Sequence, residues 1–274
     1  MANTRLGVAN AFASLPFDQI DGVAGFYVHE DFEGASALAD LVDTTGVIAT
    51  TLGAHSWWGA EIAGAAVSNV TVPVSVADHL GIIRLEAGAT SPADGDAASL
   101  QFGAAAAAVQ DMYLPDDNGC YIASVVRIAD VSDTVCEFGF GGQTPAVPNS
   151  SVVDAAVIVW DPEDTANTSD QWFLAQLNDG GTDVESYLDN VVYTENDWVL
   201  LEIALTSTSC SFRVTTEDAT DSVTLAGTVT VGMRPYYVIE NVGAAEEVLD
   251  IDLFHLRYLR RDAIVGTGSD WLGA

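Results

Sequence analysis

From Phe26 onward the sequence falls into short apolar runs with a two-residue rhythm, broken by clusters of Gly, Pro, Asn, Asp and Ser. A period of two marks a strand with one face turned inward, because successive Cβ atoms point to opposite sides. Residues 26–32 open the pattern and end at the turn pair Glu33-Gly34. Residues 48–52 and 67–76 follow, with Pro73 restricting the second to an edge or a bulge. Residues 81–87 read as a strand, the polar turn 91–96 follows, and 98–102 is expected to pair back on it. Residues 121–128 and 134–140 make a second expected pair. Residues 155–160 are apolar at every position, the signature of a strand buried on both faces. Residues 172–177 and 185–192 flank Asn178-Asp179-Gly180-Gly181, a hairpin turn, and are expected to pair. Residues 198–205, 209–215, 222–231, 236–241 and 249–258 complete the set, and the last alternates most sharply.

About a dozen short strands at close spacing, with no long amphipathic helix, predict an all-β fold of two packed sheets, a sandwich or jelly roll. Residues 10–15 and 35–45 are the only local helix candidates, neither well capped. Residues 1–25 are rich in Ala and Gly and follow no strand period, so they read as an irregular N-terminal arm making assembly contacts. The sandwich domain is expected over 26–261 and a C-terminal tail over 262–274. No long apolar run follows Arg5, so no secretory signal is expected, and no run reaches the roughly 18–20 apolar residues of a membrane span.

Charge changes this picture most. Eight Lys+Arg stand against forty Asp+Glu, a formal net charge of −32. All eight cations are Arg, and 27 of the acids are Asp. With 49% hydrophobic residues the chain has ample core material, so acidity here does not mean disorder. It does exclude direct nucleic-acid binding and attraction to anionic membranes, which both need clustered Lys and Arg. Self-repulsion at this charge works against a compact state at low salt, so a high-salt environment is expected.

Candidate chemistry is sparse. Cys120, Cys136 and Cys210 show no CxxC spacing and read as free thiols, at least two of them buried in strands, with one disulfide left open. His29, His55, His79 and His255 sit in apolar or aromatic runs and read as structural. Asp250 and Asp252 have the alternate spacing of a carboxylate pair on one strand, the arrangement a glycoside hydrolase needs. The plainer reading is a solvated strand face opposite Leu249, Ile251 and Leu253. No cofactor is expected; bound calcium is the alternative, through oxygen ligands of residues 116–119 or 161–164. Trp57, Trp58 and Trp271 are the candidate glycan-contact or subunit-interface aromatics, Trp57-Trp58-Gly59 lying in a segment without strand rhythm.

Four local patterns, in order, carry a resemblance. They are Asp78-His79-Leu80-Gly81-Ile82-Ile83-Arg84-Leu85-Glu86-Ala87-Gly88; Trp160 with Trp172-Phe173-Leu174-Ala175; Asn196-Asp197-Trp198-Val199-Leu200-Leu201-Glu202-Ile203 leading into Ser211-Phe212-Arg213-Val214; and Arg234-Pro235-Tyr236-Tyr237 before 249–256. Across residues 26–260 the chain resembles the concanavalin-like jelly-roll domains of virion structural proteins of tailed viruses, although Leu80 stands where Pro often follows that His. The resemblance implies a two-sheet, concanavalin- or lectin-like jelly roll without catalytic residues. It implies a homo-oligomeric decoration or turret-like protein on the capsid surface or at the vertices, or a tail part, assembled in the host cytoplasm. With the charge, it points to a halophilic, haloarchaeal host. Its partners would be copies of itself and other virion proteins. The alternative is a glycan- or receptor-binding module of a virus tail or spike, with a glycoside hydrolase ranked behind it. A halophile's protein should lose thermal stability steeply below about 1 M NaCl, where the Debye length passes roughly 3 Å; a melting temperature indifferent to salt would remove that expectation.

Overall fold

The computed structural model describes residues 25–30, 58–63, 69–71, 82–88, 92–102, 119–141, 154–163, 172–178, 183–229 and 233–259. These form fifteen strands and, among the described residues, no helix. In chain order they are β1 (Gly25–Glu30), β2 (Trp58–Ala63), β3 (Asn69–Thr71), β4 (Ile83–Ala87), β5 (Ala97–Phe102), β6 (Cys120–Ile128), β7 (Thr134–Gly141) and β8 (Ala155–Trp160). Then come β9 (Phe173–Asn178), β10 (Asp183–Leu188), β11 (Val199–Leu205), β12 (Ser209–Thr215), β13 (Thr220–Ala226), β14 (Arg234–Asn241) and β15 (Glu247–Leu259).

The strands build two antiparallel sheets. The eight-stranded sheet runs β13-β12-β11-β6-β15-β4-β3, with β1 also pairing β15. The seven-stranded sheet runs β10-β9-β8-β7-β14-β5-β2. The thirteen-residue β15 serves two neighbours on one side, β4 against Glu247 to Ile251 and β1 against Phe254 to Leu259. Between the sheets lies one continuous apolar core. At its centre Trp160, Phe173 and Tyr193 meet with ring centroids 5.1 to 5.4 Å apart. Tyr193 is tied there by its hydroxyl, which accepts from the Ile128 amide at 2.8 Å and donates to the Asp197 carbonyl at 2.7 Å.

The all-β, two-sheet expectation holds, and so does the pairing across the 178–181 turn, where β9 pairs with β10, though β10 runs over Asp183–Leu188 rather than 185–192. Two expected hairpins do not form. β4 and β5, like β6 and β7, are consecutive in sequence but lie in different sheets. Alternation marks which face is apolar but is the same whichever strand lies alongside. The crossover after β4 begins at Gly88 (φ +80°), where a Cβ would stand 2.9 Å from the Pro92 Cα. Trp58 opens a regular strand in a segment read as aperiodic, and β13 ends at Ala226, short of residue 231.

A second departure concerns the outer faces. A simple two-layer sandwich carries polar residues there, but β7 and β8 are buried at every position. Ala155, Val157, Val159, Tyr236 and Val238 form a separate buried cluster on the outer side of the seven-stranded sheet. Tyr121, Ala123, Val125 and Leu200 do the same on the eight-stranded sheet. All three cysteines are buried and none forms a disulfide. Cys120 and Cys210 both register with Leu205, from the strands on either side of it. They are therefore two strand spacings apart, roughly 9–10 Å, beyond disulfide reach. Burial pushes the Cys136 and Cys210 thiols up from their ordinary range.

The arm, apart from Gly25, lies outside the described residues, as do the tail 262–274, the helix candidates at 10–15 and 35–45, and the run 48–52.

Candidate functional site

The acid pair singled out in the sequence is the best-defined polar feature, and its role is structural. β15 pairs with β4 and β6 so that Asp250 registers with Arg84 on one side and Arg127 on the other. Asp250 is fully buried. Arg84 Nε donates to Oδ1 at 2.7 Å and its Nη2 to Oδ2 at 3.0 Å. Arg127 binds Oδ2 through Nε at 3.2 Å and through Nη2. The Arg127 guanidinium also lies 5.1 Å over the Trp198 ring. Pairing with Asp250 raises the Arg84 pKa further above its already high ordinary value.

The register shifts between Ile251 and Leu253, so β15 carries a bulge at Asp252. Before it Leu249 and Ile251 point into the core; after it Phe254 and Leu256 do, and Leu253 turns to the outer face. The solvated-face expectation for Asp250 and Asp252 is therefore wrong. Asp250 is sealed in, and Asp252 lies half-buried at the bulge. A carboxylate held by two guanidiniums with no solvent access cannot serve as nucleophile or acid, so this hydrolase candidate is removed.

Two further outer-face carboxylates are engaged by buried tyrosine hydroxyls, one of them also by an arginine. Glu202 accepts from Tyr121 Oη at 2.6 Å and pairs with the guanidinium of Arg213, its cross-strand neighbour. Glu137 accepts from Tyr236 Oη at 2.7 Å on the seven-stranded sheet. Desolvation and the neighbouring Glu137 charge push the Tyr236 hydroxyl well up. His255 packs edge-on to Tyr121 at 5.9 Å, in keeping with a structural histidine. His29 lies in β1 with its side chain outside the described residues, and His55 and His79 lie wholly outside them.

Among the described residues no three His, Cys, Asp or Glu come together as a metal site. Asp161 instead accepts from the Glu163 amide at 2.8 Å, closing its own turn. Residues 116–118 and 164 lie outside the described residues. So do Trp57, Trp271 and the side chain of Trp58.

The described structure does bring one pair of accessible aromatics together, and sequence reading did not place it. Trp172 and Tyr187 lie with ring centroids 6.1 Å apart, tilted by 57°, both half-buried. Tyr187 registers with Leu174, and two residues further along Glu185 registers with Gln176. All these positions alternate with the core-facing Phe173, Ala175, Leu177 and Leu188, so they share the outer side of the β9–β10 edge. Exposed Glu185 and Asp189 lie two residues to either side of Tyr187, and exposed Asp183 stands further along β10. The signal was available: a hairpin closing at 178–183 sets 174 opposite 187, which puts Trp172 diagonal to Tyr187.

No family model matches the chain, and no curated protein does. Among solved structures it is similar to arcelin-5, a lectin-like defence protein from Phaseolus vulgaris, with 10% identity over 86% of this chain and 100% of that one, at a TM-score of 0.52. It is similar as well to lectin I of Ulex europaeus in complex with the methyl glycoside of α-L-fucose, with 10% identity over 86% and 98%, at 0.51. The fold is a legume-lectin-like, concanavalin-like jelly roll.

Replacing Asp250 with Ala strands two partly buried guanidiniums without a counter-charge, a change that costs about 3–5 kcal/mol in comparable buried pairs. Urea denaturation of D250A should show that loss; a shift under about 1 kcal/mol would mean that the clamp is not holding the sheet.

Proposed function

We propose that this chain is a non-catalytic glycan-binding module whose contact surface is the Trp172–Tyr187 edge of the seven-stranded sheet. The observation that carries the reading is that aromatic pair: two half-exposed rings beside the exposed Glu185 carboxylate on the β9–β10 edge. Ring faces supply apolar contact to the C–H face of a sugar, while the exposed Glu185 can take its hydroxyls. The lectin-like fold supports the reading, and one of the similar structures holds a fucoside. The acids around the pair disfavour sialylated or sulfated ligands, so neutral glycans are the expected class. The buried, engaged carboxylates of both outer faces favour binding over turnover.

A glycan array in 2 M NaCl should give neutral-glycan hits, and Tyr187→Ala and Trp172→Ala should each weaken binding about tenfold, or 1.4 kcal/mol. No hit above background, or full binding by both variants, would remove this site.

The second reading, a capsid-surface, vertex or tail protein of a tailed virus, rests on the ordered sequence patterns and the uniform acidity. There the module would sit on the virion and self-associate through residues 1–25. Light scattering in 2 M NaCl should then show a discrete oligomer for the full chain and a folded monomer for a chain beginning at Phe26. Two monomers would count against it.

A further inference from the structure

One end of the sandwich is built around a carboxyl that lacks a counter-charge. Glu247 opens β15 and is fully buried. Thr134 Oγ1 donates to its Oε2, and Oε1 has no hydrogen-bond partner. Its register partner on β4 is Ala87, which offers no side-chain group. The charged groups that act on it are all acids: Asp130 and Asp133 from the β6–β7 connection, and Glu246 from its own. No metal-holding group of three ligands exists among the described residues, so three of these acids do not converge on a cation. An ionised Glu247 would thus be buried, half-bonded and repelled from two elements. The bound species that relieves all three conditions is a proton.

The same residue sits beneath a knot of connections. The Ala129 amide bonds the Val248 carbonyl at 3.0 Å, and the Val242 amide bonds the Asp133 carbonyl at 2.9 Å. Asn241 exchanges with the β4–β5 turn, donating to Asp96 O at 2.9 Å and accepting from Gly95 N at 2.8 Å. Gly243 packs so closely on the Asp133 side chain that a Cβ there would overlap it. Described residues of the β4–β5, β6–β7 and β14–β15 connections are thus tied to one another by hydrogen bonds and close packing.

We propose that Glu247 is a proton-operated latch: protonated, it locks these three connections over the end of the sandwich, and ionised, it loosens them. Desolvation, opposed by the Thr134 bond and reinforced by Asp130, Asp133 and Glu246, lifts its pKa from 4.5 to about 7. The folded value lies above the unfolded one. The closed state is thus fully favoured below about pH 4.5, weakens by about tenfold per unit between pH 4.5 and 7, and levels off above 7. Because burial is the largest cause, high salt screens little of it. The latch is independent of the glycan site, which lies at the β9–β10 edge.

Hydrogen exchange of the full chain in 2 M NaCl tests it, read as protection factors so that the intrinsic pH dependence of exchange cancels. Protection of the Ala129 and Val242 amides should fall roughly 30-fold from pH 5.5 to 8, while Ile203 in the sheet centre, which exchanges only through wider opening, should fall by no more than that. In Glu247→Gln, which keeps the acceptor for Thr134, the two loop amides should stay protected at both values. Equal protection across pH in the native chain, or the same fall in E247Q, would overturn the latch. Should E247Q not fold, carbon-13 NMR of the native carboxyl decides: a midpoint near 7 supports it and one near 4.5 ends it.

Discussion

The fold depends on how a chain with eight cations and forty acids keeps its buried carboxylates neutralised. Asp250 shows the solution. It stands on the long central strand of the eight-stranded sheet, with an arginine directly opposite on each neighbouring strand. One carboxylate thereby ties β4, β15 and β6 together at the point before β15 bulges. Arg213 does the same for Glu202. Arg84, Arg127, Arg213 and Arg234 are thus four of the five described arginines turned toward groups on the sheet faces, Arg234 lying beside Gln101. These pairs are short-range and largely shielded from solvent, so salt screens them far less than it screens the repulsion among surface acids. Internal order and surface charge are separately adjustable for that reason.

Burial on the outer faces has a functional consequence. The centres of both sheets carry apolar clusters and engaged carboxylates, so neither offers an open polar platform. Chemistry that meets solvent is displaced to the edges and the connections. At one edge the β9–β10 hairpin presents two rings and several free-standing acids. At one end the connections gather around a single carboxyl without a counter-charge. We propose the first as a surface for contact and the second as an internal constraint, and they share no residue.

How far the site was legible follows from which residues interact locally. Trp172 and Tyr187 are fifteen residues apart but joined by a hairpin, so turn position alone fixes their adjacency. Asp250 was visible as an acid in an alternating run, yet its partners Arg84 and Arg127 lie 166 and 123 residues away. Nothing local distinguishes it from Asp252, and the bulge between them reverses which side each residue after it faces. Glu247 gave no signal, because its character comes from what surrounds it. Trp57, Trp58 and Trp271, which the sequence raised as contact aromatics, have no described side-chain environment to compare.

Taken alone, the sequence determined the all-β class, most strand positions, the pairing of the strands flanking the 178–181 turn, the burial of at least two cysteines in strands, and the strong acidity of the chain. Those properties depend on local period, turn chemistry and composition, which act over a few residues. Tertiary structure alone decided which sheet each strand joined, sending β4 and β5, and β6 and β7, to opposite sheets. It also decided which acids were sealed against arginine and which was left with a single threonine hydrogen bond and no counter-charge. Strand pairing and charge neutralisation are long-range choices, and alternation is indifferent to the identity of the strand that arrives beside it.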